Sequence, residues 1–367
     1  MTGSPPGNVP AAVWWLPALR DPAISLDWSL AQWQEVLRQT RRLRLLARLA
    51  EQASADGLVP RLPQQVQRHL VAAMRASRWQ TGTLVWGLER VGGVLDAMPH
   101  PKVLLKGAAY IAQDLPIASG RLPSDMDILV PRQALPDAQS RLLEAGWRAP
   151  DLDAHDLQYY EAWSHESPPM QHPSIRMELD LHHNILPPVG HVRIDASLLI
   201  SRVQPSRLPG WSVLHPEDQI LHSAAHLFFD SELRGRLRDL VDLDGLLRHF
   251  AVSADFWADL QRRAHQLGLV EPWALALRLC ADWFGTPVPA DALRAAQSAW
   301  LGRGQQVWLL PLLRKVLLPE SPDRVDSLNR TVAATALLLR HHLRRLPLRL
   351  LVPHTWHKLR RRAPSAG

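Results

Sequence analysis

The segment Ser124–Val130, SDMDILV, places two aspartates immediately before a run of three apolar residues. Side chains alternate between the two faces of a strand, so Asp125 and Asp127 share one face while Met126 points into the sheet. Two carboxylates at this spacing repel each other unless a proton or a cation lies between them. Hard divalent cations such as Mg²⁺ take oxygen ligands of this kind, together with substrate phosphates. The segment therefore predicts either a metal site at the mouth of a buried strand or a solvated strand end, and the solvated end is the plainer interpretation of the motif alone.

The bulk composition is that of a folded protein with an excess of basic residues. Of the 367 residues, 46% are hydrophobic and 21% are charged, which is enough apolar material for a buried core. The length allows two or three domains or one elaborated domain. The formal net charge is +7, and nearly all of the basic residues are arginines. This charge is compatible with a polyanionic partner, but an Arg-rich background of Ala, Leu and Pro also reflects genome composition.

The single cysteine and the short apolar runs predict a cytoplasmic protein without a transmembrane segment. Cys280 cannot form an internal disulfide, which fits a reducing compartment. The N-terminus lacks a basic region followed by a long apolar core, so no signal peptide is expected. The longest apolar run near the C-terminus, Thr331–Leu339, is far shorter than the ~20 residues that a membrane helix needs.

The hydrophobic periodicity divides the chain into helical ends and a mixed centre. Apolar residues recur at helical spacing before about residue 100, and the stretch 63–98 is long enough to break into two helices near Gly82. Helical periodicity returns after the Pro-rich linker Pro187–Leu214. We therefore predict an α+β fold, in which a small mixed β-sheet core is flanked by N-terminal and C-terminal α-helical regions. The predicted parts are a poorly ordered or surface-lying Pro-rich N-terminal segment, 1–25, an N-terminal helical region, 26–99, the core, 100–195, a C-terminal helical domain, 215–346, and a basic tail, 347–367.

Individual elements follow from the same patterns. The predicted core strands are Val103–Leu105, Met126–Val130, Tyr159–His165 and Ile175–His183. The predicted core helices are Ala108–Asp114 and Gln133–Ala145. The predicted C-terminal helices are Glu217–Phe229, Glu232–His249, Ala254–Leu267, Pro272–Phe284, Asp291–Leu301 and Ser327–Leu346.

A glycine turn and an arginine precede the paired aspartates. Lys106-Gly107-Ala108 joins a predicted strand to a helix, where glycine lets a ligand approach and free backbone N–H groups favour phosphate. Arg121 lies four residues before Asp125, where a guanidinium would reach a phosphate. The alternative interpretations are that Lys106-Gly107-Ala108 is an ordinary strand-to-helix turn and that Arg121 is a surface residue without a ligand.

The strand 177–183, MELDLHH, offers a third carboxylate. Alternation puts Glu178, Asp180 and His182 on one face and the apolar residues on the other. A strand of this kind beside Asp125 and Asp127 would bring three acids together.

Taken in order, these features resemble a known family. A Lys-Gly pair at a strand–helix junction, an arginine, the Asp-x-Asp-apolar strand and a downstream Asp-Leu-His strand are similar to the nucleotidyltransferases of the DNA polymerase β-like superfamily. The similarity is greatest to its largely uncharacterised bacterial branch. That branch also has a histidine-bearing helix followed by an aspartate-bearing helix, matched here by Leu221–Phe229 and Arg236–Leu247. The resemblance covers about residues 30–320.

The resemblance implies an enzyme that moves a nucleoside monophosphate from an NTP, ATP among them, to an acceptor by two-metal phosphoryl transfer. It implies Mg²⁺ or Mn²⁺ as cofactor, with two ions per active site. RNA, a protein, a sugar and a peptide are the candidate acceptors. Asp180 would also help to deprotonate the acceptor, and Gly107 would lie against the triphosphate. The implied catalytic and metal-binding residues are Asp125, Asp127 and Asp180; the implied nucleotide-binding residues are Lys106, Gly107, Ala108, Arg121 and Ser124; and the implied supporting residues are Glu178, His182, His226 and Asp239.

Two positions depart from the family pattern. Ala108 stands where the wider superfamily prefers serine or glycine, although the bacterial branch often has alanine there. His183 stands where that branch often has tryptophan. Neither change removes an implied metal ligand, so an active enzyme is expected.

Other interpretations of the same residues stay open. The alternative function is a non-catalytic nucleotide- or partner-binding module of a regulatory gene pair, although such a module would not need three aligned acids. His222 and His226 are spaced to share a metal, but without the glutamate of a His-Glu-x-x-His motif, helix packing or substrate contact is the simpler interpretation. The resemblance suggests that Asp239 or Asp242 locks its helix to the core. The basic run Arg340–Arg362 would bind an anionic partner such as RNA or a membrane surface, or stay solvated.

Overall fold

The computed structural model describes residues 9–253, 255–300, 303–318 and 327–345. The basic tail predicted at 347–367 lies outside these residues, as does the start of the Pro-rich N-terminal segment. Within the described ranges, no helix is both long and apolar enough to cross a bilayer.

Six strands form one mixed sheet in the described part of the chain. They are β1, Val103–Leu104; β2, Asp125–Leu129; β3, Met170–His172; β4, Ile175–His182; β5, Gln204–Pro205; and β6, Ser212–Val213. Their order across the sheet is β3-β4-β2-β1-β6-β5. β2 and β4 are parallel neighbours, whereas β1 runs antiparallel to β2 and parallel to β6. The sheet confirms the predicted α+β fold with a small mixed core.

Three helices precede the sheet along the chain, and the last of them packs on it. They are α1, Leu30–Arg42; α2, Leu46–Ala55; and α3, Gln64–Leu95. The predicted break near Gly82 is wrong, because α3 is one continuous helix. A glycine costs a helix only about 1 kcal/mol relative to alanine, and the buried apolar face continues through Leu84 and Leu88. A Cβ atom on Gly87 would lie 2.9 Å from the Met126 sulfur, so α3 lies directly against β2.

The segment 9–27 is folded, and the predicted surface placement is wrong for it. Trp15 and Val13 are completely buried, and Trp15 Nε1 donates a hydrogen bond to Gln39 Oε1 at 2.7 Å. The burial of these apolar side chains outweighs the irregular backbone that the prolines impose. The backbone forms short 3₁₀ turns at Ala11–Val13, Leu16–Leu19 and Pro22–Asp27.

Three short helices lie between the core strands along the chain, and the first of them packs on β1 and β2. They are α4, Lys106–Ala112; α5, Leu135–Glu144; and α6, Ala154–Gln158. The predicted strand Tyr159–His165 is wrong over most of its length, because Tyr159–Trp163 forms a π-helical turn that continues α6. Aromatic residues favour strands in general, but the rings of Tyr159 and Trp163 meet edge to face across this turn, with centroids 6.2 Å apart. The chain becomes extended only at Ser164.

Eight helices complete the described chain. They are α7, Ser197–Ile200; α8, Pro216–Phe228; α9, Leu237–Phe250; α10, Asp255–Gln266; α11, Val270–Phe284; α12, Ala290–Ala299; α13, Arg303–Leu317; and α14, Leu328–Arg345. α9 begins after the predicted start at Glu232, because Gly235 takes a left-handed φ of 73° that a helix does not tolerate. α13 was not predicted, since Pro311 lies inside it.

The linker between core and C-terminal helices contributes to the sheet. β5 and β6 lie within Pro187–Leu214, and β6 pairs with β1. Buried apolar residues of the sheet and of α8, α9 and α11 belong to one continuous hydrophobic cluster. The core and the C-terminal helices are therefore packed together, while the exact domain boundaries stay predictions.

Candidate active site

The three aspartates singled out in the sequence lie together on neighbouring parallel strands. The register of β2 and β4 sets Asp127 opposite Asp180 and Asp125 opposite Glu178. Asp125, Asp127 and Asp180 line one cavity of about 450 Å³. The buried Ile128 and the rest of the apolar half of β2 fix the strand, so the carboxylates are held on rigid backbone.

Asp127 is the most deeply buried of these acids and has two basic partners. Its Oδ1 accepts a hydrogen bond from Lys106 Nζ at 2.8 Å and lies 2.9 Å from His182 Nε2. Since an ionised carboxylate only accepts, His182 Nε2 must be the protonated nitrogen of that ring. Burial alone would raise the pKa of Asp127, but Lys106 and His182 hold it well below its usual range. Asp127 is therefore ionised.

Lys106 occupies the junction between β1 and α4 with an unusual backbone. Its φ is 45°, in the left-handed region, which costs a residue with a side chain roughly 1–2 kcal/mol. Burial would lower the pKa of Lys106, but the charges of Asp127, Asp125 and Glu166 raise it. The ammonium group thus stays charged and faces the acids. Strained backbone of this kind is concentrated at functional sites.

The other two aspartates carry charge that the protein only partly neutralises. Burial and the charge of Asp127 raise the pKa of Asp180 to about 7. Burial and Asp127 also raise the pKa of Asp125, against the opposing effects of Lys106 and Arg121. An oxygen-only donor set with this excess of negative charge is what a hard divalent cation prefers.

Removing the Asp180 charge is expected to stabilise the metal-free protein. The pKa of this side chain rises from 3.8 to about 7 on folding, so the folded state binds the extra proton and stability falls as pH rises from about 4 to 7. Asp180→Asn removes that penalty, and allowing for solvent screening we expect a gain of about 2 kcal/mol at pH 8 that vanishes below about pH 4. Urea denaturation in the presence of a chelator measures both values. A variant less stable than the wild type at pH 8 would contradict the expectation.

Arg121 is held by the C-terminal helices rather than left open to the cavity. Its Nε donates to Asp242 Oδ2 at 3.0 Å, and its guanidinium lies over the Tyr110 ring at 5.4 Å. Burial would lower the pKa of Arg121, but the charge of Asp242 raises it. Arg121 still lines the cavity. The structure thus gives Asp242 the contact to the core that the sequence assigned to Asp239 or Asp242.

Gly107 makes room for that arginine. A Cβ atom at this position would lie 2.2 Å from Arg121 Nη1. Any larger residue would push the guanidinium away from Asp242. Gly107, which the resemblance assigned to triphosphate contact, therefore has a packing role in the structure.

The residues that the resemblance assigned to nucleotide binding or to support of the site divide into those that line the cavity of the three aspartates and those that do not. Ser124 hydrogen-bonds the Asp125 carboxylate, and Glu178 accepts a hydrogen bond from Gln171 Nε2 at 2.7 Å. His182 is buried behind Asp127. Those that line the cavity are Lys106, Gly107, Arg121, Ser124, His226 and Asp239, and those that do not are Ala108, Glu178 and His182.

Sequence reasoning missed the opposite wall of the cavity and one acid. Glu166 lies in a segment with no periodic signal, and nothing in its neighbours marks it. Arg44 has a left-handed φ of 58° between α1 and α2, and the sequence placed it on a solvated helix face. Arg42, Arg44, Arg236 and Arg238 together form a basic wall that faces the three aspartates. The missed lining residues include Glu166, Tyr110, Arg42, Arg44, Arg236 and Arg238.

Of the two histidines of α8, His222 is buried and His226 is half-buried, and both are neutral. Burial and then the charge of Lys106 lower the pKa of His222 to about 3 and that of His226 well below its usual range. Their ring centroids are 6.4 Å apart. His226 lines the cavity and His222 does not, which fits helix packing and substrate contact.

Comparison with known proteins gives one finding. The model of a family described as an uncharacterised nucleotidyltransferase matches residues 29–285, which is more than half of the chain. This range contains every residue that lines the cavity of the three aspartates. Neither the curated proteins nor the solved structures contain a match.

Proposed function

The chain belongs to this uncharacterised nucleotidyltransferase family, and from that membership we propose that it transfers a nucleoside monophosphate from an NTP to a hydroxyl or phosphate of an acceptor. The observation that carries the proposal is the cavity itself. Asp125, Asp127 and Asp180 form one wall, and the arginines of α1, α9 and the connecting segments form the other. Membership in the DNA polymerase β-like superfamily is part of the proposal and is supported by the paired parallel strands that carry the acids.

The acids fit the divalent cations that the resemblance implies. We assign two Mg²⁺ or Mn²⁺ ions to Asp125, Asp127 and Asp180, because all three offer hard oxygen donors and two of them have raised pKa values. When bound, such ions supply positive charge that neutralises the triphosphate and stabilises the leaving group.

The protein's own residues bind and orient the reactants. Lys106 keeps Asp127 ionised and brings a charged ammonium group to the cavity, where phosphate is favoured. The arginine wall is suited to the outer phosphates, since guanidinium groups bind phosphate oxygens in pairs. Asp180 is partly exposed while Asp127 is buried, so we assign removal of the acceptor proton to Asp180. Positioning of this kind supplies a large part of the rate in phosphoryl transfer.

A second cavity adjoins the first and is where we place the acceptor. It has a volume of about 200 Å³ and shares Lys106, Glu166 and His226 with the cavity of the aspartates. Most of its remaining lining is apolar and comes from α8, α11, α13 and α14 and from the segment after β4. The apolar lining residues include Ile185, Leu186, Phe228, Phe229, Leu275, Leu309, Leu313 and Leu337.

The apolar lining selects among the candidate acceptors. A sugar or a nucleotide would bury hydroxyl groups against these side chains, which costs free energy wherever the polar lining residues do not reach them. Those polar residues are His165, His191, Asp230, Arg340, His341 and Arg344. A small molecule, or the end of a peptide, with an apolar body and one hydroxyl or phosphate fits both the volume and the chemistry. Its polar end would meet the nucleotide at Lys106 and Glu166.

Thermal shift with an NTP panel, with and without Mg²⁺, tests nucleotide binding. We expect at least one NTP to raise the Tm by about 5 °C at 100-fold excess over its Kd, only when Mg²⁺ is present. Asp125→Asn should lose this shift. An absence of any NTP–Mg²⁺ shift sinks the proposal.

Incubation of cell extract with α-labelled NTPs tests transfer and separates the two functions. A transferase releases pyrophosphate and labels a molecule, which we expect to resist RNase and to partition into organic solvent. A non-catalytic binding module would show the thermal shift with neither pyrophosphate nor labelled product. A labelled product that RNase destroys would overturn the proposed apolar acceptor but would leave the proposed transfer reaction standing.

A further inference from the structure

The segment that follows the π-helical turn is fixed against the end of β4. Ser167 N donates to Leu181 O at 2.8 Å, and His183 N donates to His165 O at 2.9 Å. Glu166 forms an antiparallel bridge with His182. The backbone therefore holds His165, Glu166 and His182 next to each other.

The side chains of these three residues converge at a characteristic spacing. His182 Nδ1 lies 3.5 Å from Glu166 Oε2, and His165 Nε2 lies 3.7 Å from the same oxygen. All three ligand atoms lie within 4.8 Å of one another. Hydrogen bonds of this type are 2.7–3.2 Å long, so these distances are too long for them. They match the distance of about 3.4 Å between two ligand atoms that are each about 2.1 Å from a tetrahedral zinc ion.

The orientation of His182 adds an independent indication. Its Nε2 donates to Asp127 Oδ1 at 2.9 Å, so in the neutral ring Nδ1 carries the lone pair that a metal needs. This Nδ1 is buried and has no hydrogen-bond partner among the described residues. His182 itself is only 2% exposed. A carboxylate that orients a histidine from behind is the usual arrangement around a metal-binding imidazole.

We propose that His165, Glu166 and His182 bind a transition-metal cation of the Zn²⁺ class. Two imidazoles and one carboxylate suit such an ion, whereas Mg²⁺ prefers oxygen ligands alone. His165 and Glu166 line the apolar cavity, so the fourth coordination position is open to it. The site uses none of Asp125, Asp127 and Asp180 as ligands, and its existence does not depend on the proposed transfer reaction.

Zn²⁺ binding to the full-length protein, freed of metal and without nucleotide, tests the site. Competition with a chromophoric zinc chelator measures affinity, and the visible absorption of Co²⁺ reports four-coordinate binding. We expect about one Zn²⁺ per chain, with affinity lowered at least about 100-fold in Glu166→Gln and in His165→Asn. Asp127→Asn should weaken binding by about 10- to 100-fold, since it removes the group that orients His182.

Two matched variants decide where the ion binds. Glu178→Gln makes the same chemical change on an exposed glutamate of β4 and should bind as the wild type does. Asp125→Asn leaves the three ligands intact and should also retain Zn²⁺. The proposal is overturned if the wild type fails to compete with the chelator, or if Glu166→Gln binds as tightly as the wild type. Loss of Zn²⁺ in Asp125→Asn alone would also overturn it, by placing the ion among the aspartates. Circular dichroism checks folding, and His165→Asn carries the test if Glu166→Gln does not fold.

Discussion

Asp127→Asn is expected to lower kcat/KM for nucleotidyl transfer by at least about 10³-fold, or roughly 4 kcal/mol of transition-state stabilisation. Asparagine keeps the shape of the side chain but removes the negative charge that Lys106 and His182 stabilise. It also takes one charged oxygen away from the assigned metal ions. Pyrophosphate release from the NTP that gives the largest thermal shift provides the measurement.

The same substitution has a stability cost that must be separated from the loss of activity. Lys106 would be left charged and largely buried beside a neutral amide, and removing one partner of a buried pair costs about 3 kcal/mol or more. Asp180→Asn separates the two effects. It should be as inactive as Asp127→Asn, but without metal it should be more stable than the wild type. Glu178→Gln changes the exposed residue that pairs with Asp125 in the β2–β4 register but does not line the cavity, so it should keep wild-type activity. Transfer that survives in both aspartate variants would remove the basis of the proposed function.

Gly120→Ala is expected to destabilise the protein by about 3–5 kcal/mol. Gly120 has a φ of 70°, and a Cβ atom there would lie 2.4 Å from the backbone N and Cα of Arg48. Neither backbone can move easily, because Arg48 belongs to α2 and Gly120 precedes the turn into β2. The free energy of unfolding from urea denaturation at 25 °C measures the change.

Gly57→Ala is the matched control for that experiment. Gly57 has nearly the same φ, 67°, but nothing lies within 4 Å of the Cβ position. Its alanine variant should lose only the roughly 1–2 kcal/mol of left-handed backbone strain. The difference between the two variants isolates the overlap with α2. Equal losses in the free energy of unfolding for the two variants would show that the overlap between the new Cβ atom and the Arg48 backbone is relieved without cost.

The sequence predicted the acid-bearing strands because their signals are local. Period-two alternation placed Asp125 with Asp127 and marked Asp180, and the apolar half of β2 identified a buried strand. The alternation and the order of the strands suggested that they lie side by side, and the structure adds that they are parallel. These parts of the fold and of the site depend on residues that are close in sequence.

Two of the parts that were missed depend on distant contacts, and the third depends on a local contact that opposes propensity. Glu166 reaches the site because the chain after the π-helical turn bridges to β4, and no local pattern encodes that bridge. Arg121 was assigned to phosphate because its partner, Asp242, lies 121 residues away. The aromatic run at Tyr159–Trp163 favours a strand by propensity, and its own ring contacts made it helical instead.

The ion pair between Arg121 and Asp242 has a consequence for how this family can change. The cavity draws its lining from four separate stretches of the chain, from Arg42 to Asp242, and this pair ties the earliest strands to a late helix. The site is thus not a module that recombination could transfer as one contiguous block. A crossover that falls between residues 121 and 242 would bring the two positions of this pair from different parents, and Gly107 would still have to leave room for residue 121. Substitutions in these stretches are therefore constrained to arise as compatible sets.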